Sequence, residues 1–221
     1  MIEYDPNAIV HPYITQYIRE ELPGTEGLLK SLELYAEKNS VPIVQPETAK
    51  LLLSLVYLKR PEHILEVGCA IGYSAMLMSE GLAEHGRITT VEYNRKMAGF
   101  ARKQIEKAGL TDQITVVEAD AKEYLPAIPG EGVYDMIFLD GPKAHYVYML
   151  GDCVRLLKKG GLLVADNILY KGMTAEDSLV IRRKITIVKR LRAFIHELTH
   201  RRDLVTSVIP IGDGVTISVK K

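Results

Sequence analysis

The residues with the clearest chemical potential lie in two short runs, FLDGPK (138–143) and VADN (164–167). Asp140, Asp166 and Asn167 offer two carboxylates and an amide oxygen, with no His or Cys in either run. Hard oxygen donors of this kind suit Mg²⁺ or Ca²⁺ better than zinc. Taken singly, each has a plainer use, Asp140 as a helix cap and Asp166-Asn167 as a turn. Lys143 stands three residues beyond Asp140. Beside a divalent cation and partly desolvated, it would shed its proton more readily and act as a general base. The implied chemistry is removal of a proton from a hydroxyl whose neighbouring oxygen shares the cation.

A second set surrounds the run Glu66-Val-Gly68-Cys-Ala-Ile-Gly72-Tyr-Ser74. Glycines at a strand-to-helix turn let the backbone bend tightly and approach a ligand, and the helix start offers free N–H groups. A glycine pair alone is also what a plain turn looks like. Glu92, 20 residues beyond Gly72, can accept from ribose hydroxyls, and Asp120-Ala121 can meet an adenine amino group. Together these positions describe a nucleoside cofactor at the switch point of an α/β sheet. Cys69 and Ala70 follow Gly68, so the dinucleotide pattern lacks its second glycine, and no Gly-Lys-Ser/Thr follows. The remaining ExGxxxGxS pattern fits S-adenosylmethionine, which has no pyrophosphate to cradle. Methyl transfer therefore leads hydride transfer.

The elements that must position these residues are legible in the hydropathy. HILEV (63–67), ITTVE (88–92), ITVVE (114–118), DMIFLD (135–140) and GLLVAD (161–166) are nearly continuous apolar runs, as in parallel strands buried on both faces. Amphipathic stretches at 73–84, 95–108, 121–127 and 144–158 alternate with them. A long helix near 179–200 precedes LVTSVIP (204–210) and GVTISVK (214–220), an antiparallel hairpin. The expectation is a single α/β domain over 1–221, with a Rossmann-like doubly wound sheet of order 3-2-1-4-5-7-6 and the last strand antiparallel. Residues 1–58 form a helical N-terminal region in about three pieces, and 59–221 form the core. Asp140 and Asp166 then end neighbouring strands on the edge where the cofactor lies.

ILEVGCAIGYSA, FLDGPK, VADN and the closing PIGDG make the chain resemble the cation-dependent, catechol-type O-methyltransferases, from about Pro42 to the C-terminus. LELYAEKNSVPIVQ (32–45) and DNILYKGMTAED (166–177) are most similar to the branch of that family that methylates 5-hydroxyuridine at the tRNA wobble position. The resemblance implies that Val44, Ser74, Glu92, Asp120, Ala121 and Asp140 contact S-adenosylmethionine, joining Glu66, Gly68 and Gly72 of the glycine run in one cofactor site. It also implies that Asp140, Asp166 and Asn167 hold Mg²⁺ and that Lys143 is catalytic. The family carries glycine near Thr48, a departure at a turn where backbone contacts are expected. A catechol and 5-hydroxyuridine both present two adjacent oxygens, so the metal site does not separate a small phenol from tRNA. A non-catalytic RNA- or nucleotide-binding module would have no use for the full set of carboxylates, amide and lysine.

The chain has 221 residues, 28 Lys plus Arg and 28 Asp plus Glu, a balance that excludes an evenly basic coat protein and an acidic disordered chain. That neutrality hides a polarity: residues 182–202 hold eight basic groups against Glu197 alone. Within it, Arg182, Arg183, Lys184, Lys189 and Arg190 are candidate phosphate contacts for tRNA, and otherwise a solvated helix face. Tyr146 and Tyr170 are candidates for stacking on a flipped base. His196-Glu-Leu-Thr-His200 matches a zinc-protease pattern, yet no His or Glu follows to complete the ligand set. Two cysteines without CxxC spacing, no apolar run long enough for a bilayer and no leader point to a cytoplasmic protein without membrane contact. A homodimer through the N-terminal helices is expected from the resemblance.

Overall fold

The computed structural model describes residues 9–221. The three N-terminal helices are α1 (Pro12–Glu21), α2 (Gly27–Asn39) and α3 (Pro46–Lys59), broken where Pro23-Gly24 and Pro42 forbid continuation. Pro46 opens α3, where its missing N–H costs nothing. Alternating elements follow: β1 (His63–Val67), α4 (Tyr73–Ser79), β2 (Arg87–Glu92), α5 (Arg95–Lys107), β3 (Ile114–Glu118), α6 (Ala121–Ala127), β4 (Tyr134–Leu139), α7 (Tyr146–Leu156) and β5 (Leu157–Asp166). The chain closes with α8 (Ile185–His200), β6 (Leu204–Ile209) and β7 (Val215–Lys220). The seven strands form one sheet of order 3-2-1-4-5-7-6, and β7 runs antiparallel to both β5 and β6. Sheet order and strand directions are those expected from the sequence.

The central strands are buried on both faces, and each face carries its own apolar cluster. α2, α3 and α4 cover one face, where Leu32, Leu52 and Val56 pack with Ile64 and Phe138. α7 and α8 cover the other, with Tyr146 and Phe194 against Leu139 and Leu163. Tyr73 donates from α4 to Glu33 on α2 at 2.8 Å, fastening the N-terminal helices to the core.

Three boundaries differ from expectation. α4 stops at Ser79 rather than 84, and the chain then passes Val56 so closely at Gly81 that an added Cβ would meet it at 2.9 Å. β5 begins at Leu157, and a register irregularity opposite Tyr134 and Met136 absorbs the extra residues around Gly160. The helix expected from 179 begins at Ile185, after 3₁₀ turns at Asp177–Leu179 and Arg182–Lys184. Three cations in the first turn of an α-helix would oppose its dipole, which agrees with their exclusion from α8.

Candidate active site

The C-terminal ends of β1 to β4 are tied together by backbone bonds. Gly68 N–H donates to Val91 O and Asp140 N–H to Val67 O, both at 2.9 Å, and Ala119 N–H donates to Glu92 O at 3.1 Å. Gly68 has φ +100°, and a Cβ there would lie 2.6 Å from the Asp140 carbonyl oxygen. Only glycine permits that approach. Gly72, at φ +85°, starts α4 and turns its N-terminus toward the strand ends.

A cavity of about 780 Å³ opens above these ends, in the range of small-ligand sites. Gly68, Glu92, Asp120, Ala121 and Asp140 line it, as do Lys143 and Asn167. Glu92 is held by N–H donors from Ala70 at 2.9 Å and Asn94 at 2.7 Å, which fix its carboxylate and leave lone pairs free. Asp120 caps α6 by accepting from Lys122 N–H at 2.9 Å. Four cofactor candidates do not line the cavity, and neither does Asp166, which is buried behind its wall. Val44 is buried between its lining neighbours Ile43 and Gln45, and Gly72 and Ser74 sit at the start of α4 behind the loop. Glu66 is fully buried and accepts from the Thr90 hydroxyl. Its place is therefore beneath the glycine loop, and burial pushes its carboxyl up to about 7.

The second half of the site is acidic. Leu139 pairs with Ala165, so Asp140 and Asp166 leave adjacent strands side by side. Burial, reinforced by the charge of Asp140, pushes Asp166 up to about 7, and its Oδ1 accepts from Asn167 N–H at 2.7 Å. Lys143 donates to Asp140 Oδ1 at 2.7 Å and to the Asp140 carbonyl at 3.3 Å, partly offsetting this charge. Asp140 and Asn167 on the cavity wall, with the buried Asp166 crowded against Asp140, fit a hard divalent cation, which would relieve the repulsion of the two carboxylates. Glu62, His63 and Asp135 also cluster, at the opposite edge of the sheet, where Lys158 pairs with Asp135 at 2.9 Å.

Several expectations need correction. Tyr146 is fully buried and donates to the carbonyls of Leu139 at 2.9 Å and Asp166 at 3.4 Å, so it braces the two strand ends and is closed to a base. Tyr170 is partly exposed, with Lys184 Nζ 5.5 Å from its ring centre. Arg182, Arg183 and Lys189 are exposed. Arg190 lies 5.1 Å over the Tyr148 ring and touches the Ala144 carbonyl at 3.5 Å. Arg192 and Arg201, part of the same charge run, are spent in structural contacts, with Thr174, Met173 and Asp177 for the first and Glu197 and Asp203 for the second. His196 and His200 stack at 4.0 Å on exposed positions of α8, away from any third ligand among the described residues. Thr48 is buried, its hydroxyl unpaired against Gly212. Sequence reasoning passed over Asp213 as a functional residue, although its PIGDG motif was visible: it accepts from Lys171 N–H at 2.5 Å, and burial raises its carboxyl.

The fold and the site have known counterparts. A family model described as O-methyltransferase matches residues 24–221. The chain is 36% identical to a catechol O-methyltransferase of Niastella koreensis over 78% of this chain and 80% of that protein. It is 30% identical to a caffeoyl-CoA O-methyltransferase of Populus kitakamiensis over 92% of both. The solved O-methyltransferase of Bacillus cereus in complex with SAH superposes with a TM-score of 0.83 at 25% identity, covering 95% of this chain and 97% of that one. The cavity at these strand ends thus sits in a chain that belongs to the O-methyltransferase family and is an S-adenosylmethionine-dependent O-methyltransferase.

Proposed function

We propose that the chain transfers the methyl group of S-adenosylmethionine to the 5-hydroxyl of 5-hydroxyuridine at the tRNA wobble position, with Mg²⁺, giving 5-methoxyuridine. The observation that carries the RNA substrate is the placement of the basic turn. Lys184 packs on Tyr170, in the same loop as Asn167, and Arg182 and Arg183 of the same turn stand exposed. Cations there can follow a phosphate backbone while one base enters the cavity. Lys189 and Arg190 extend that surface along α8.

When bound, the cofactor supplies an electrophilic methyl on a sulfonium sulfur, and Mg²⁺ supplies charge that makes an adjacent hydroxyl more acidic. Glu92 would accept from the ribose hydroxyls and Asp120 from the adenine amino group, while Gly68 leaves the backbone open to the ligand. Glu66, Val44, Gly72 and Ser74 shape that half from behind. Asp140, Asp166 and Asn167 are the oxygen donors for the cation. Lys143, oriented by its 2.7 Å contact with Asp140, would take the proton from the acceptor hydroxyl.

α1 buries none of its residues and exposes Tyr13, Ile14 and Tyr17, which supports a homodimer through the N-terminal region. No helix among the described residues is long and apolar enough to cross a membrane, in keeping with a cytoplasmic role. A second reading, methylation of a small catechol or caffeoyl-like phenol, is favoured by the names of the relatives. Labelled-methyl transfer to hydroxylated tRNA and to catechol, compared at equal enzyme, separates the two. Transfer to tRNA is expected, and transfer to catechol alone would establish the second reading.

A further inference from the structure

The loop after β5 holds three non-glycine residues in the left-handed region, Asn167 at φ 57°, Tyr170 at 48° and Lys171 at 56°. Each costs roughly 1 kcal/mol or more in isolation and persists only where surrounding contacts enforce it. The enforcing contacts come from one place. Lys171 N–H donates to the Asp213 carboxylate at 2.5 Å, Leu169 N–H to the Asp213 carbonyl at 3.0 Å, and Ile168 N–H to the Gly214 carbonyl at 3.0 Å. Leu169 fills the space a side chain at Gly214 would need. Asp213 is itself fixed from behind, since Thr48 Oγ1 lies 2.6 Å from where a Cβ at Gly212 would sit, and Gly214 N–H bonds Ile211 O at 2.8 Å.

We propose that Asp213 is a positioning residue, whose carboxylate and carbonyl clamp the 168–171 turn so that the Asn167 amide reaches the cavity wall beside Asp140. This rests on Asn167 being a ligand of the divalent cation. The carboxylate acts as a hydrogen-bond acceptor toward Lys171 N–H; its charge is not what the turn requires. An amide oxygen at the same position therefore serves as well, and a methyl does not. Thr48, packed against Gly212, supports the clamp from the far side.

The test uses Mn²⁺ alone as probe, followed by electron paramagnetic resonance, with the full chain and its Asp213→Ala and Asp213→Asn variants. Cofactor affinity in EDTA and the thermal midpoint serve as controls for folding. Asp213→Ala is expected to weaken Mn²⁺ binding about tenfold or more, the usual cost of losing a group that orients a metal ligand. Asp213→Asn is expected to stay within about threefold of the parent, and hydrogen exchange at 168–171 should accelerate in the alanine variant only. If Asp213→Ala does not fold, Asp213→Ser takes its place. Equal loss in the alanine and asparagine variants would mean that charge matters rather than the clamp, and would overturn the proposal. Unchanged Mn²⁺ affinity in a folded alanine variant would overturn it too. Failure of the unmodified chain to bind Mn²⁺ would remove the metal reading itself, a result visible before any variant is compared.

Discussion

On the β1–β3 side of the cavity the wall is made of strand ends that bond directly to one another, with Gly68 against Asp140 and Glu92 against Ala70. On the β5 side it is a turn with three left-handed non-glycine residues, held by Asp213, 42 positions from the Lys171 N–H it accepts, and by Gly214. The first half is an extension of the sheet, and its geometry follows from strand pairing. The second is a loop whose shape is imposed from outside. A nucleoside cofactor needs a fixed cradle, so it belongs with the first. An acceptor that must enter and leave is better served by the second, where local opening costs less.

The largest effect that would sharpen this division is at Lys143, which stands where the halves meet. Lys143→Ala is expected to lower methyl transfer by about a thousandfold, while calorimetry shows cofactor affinity within about threefold of the parent. A fully active variant would remove Lys143 as the base. Next, Gly68→Ala should weaken cofactor binding about thirtyfold, because a Cβ must displace the Asp140 carbonyl and the residue must keep φ +100°. Unchanged affinity in the same calorimetric titration would break the idea of a rigid cradle.

Glu66 probes the cradle through pH. Its pKa is raised by burial from the ordinary carboxylate range to about 7 in the folded chain. Between roughly pH 4.5 and 7 the folded state therefore holds a proton that the unfolded state has lost, so stability falls as pH rises through that window and levels off above it. Glu66→Gln cannot ionise and should be the more stable protein at pH 8, by on the order of 3 kcal/mol, with little difference near pH 4. Denaturant melts at both pH values check this; parallel pH profiles for the two proteins would contradict it. The smallest effect concerns the outer rim. Neutralising Arg182, Arg183 and Lys184 together should raise KM for hydroxylated tRNA about tenfold, flatten its salt dependence and leave a small phenol within about twofold. Equal loss on both substrates would make those residues structural.

Much of the first half was legible in the sequence, because continuous apolar runs dictate buried parallel strands and chain order dictates where their ends meet. Asp140 and Asp166 could be placed side by side from strand order alone. The second half was not legible, for a physical reason. Nothing local to Asn167, Tyr170 or Lys171 announces a left-handed backbone; that conformation comes from Asp213 and Gly214, which lie far along the chain. Within the charge run from 182 to 202, only folding reveals that Arg192 and Arg201 are spent on carbonyls and carboxylates while Arg182 and Arg183 stay exposed. Tyr146 was a candidate for stacking on a base and is a buried brace.

Divalent-cation dependence is the most direct test of the claim that one half holds the cofactor and the other activates the acceptor. Initial rates of labelled-methyl transfer to hydroxylated tRNA should be measured with Mg²⁺, with EDTA, and with EDTA followed by excess Mg²⁺, alongside cofactor binding under the same conditions. The account predicts that EDTA removes at least about 99% of transfer, leaves cofactor binding intact, and is reversed by Mg²⁺. Transfer that continues undiminished in EDTA would contradict it.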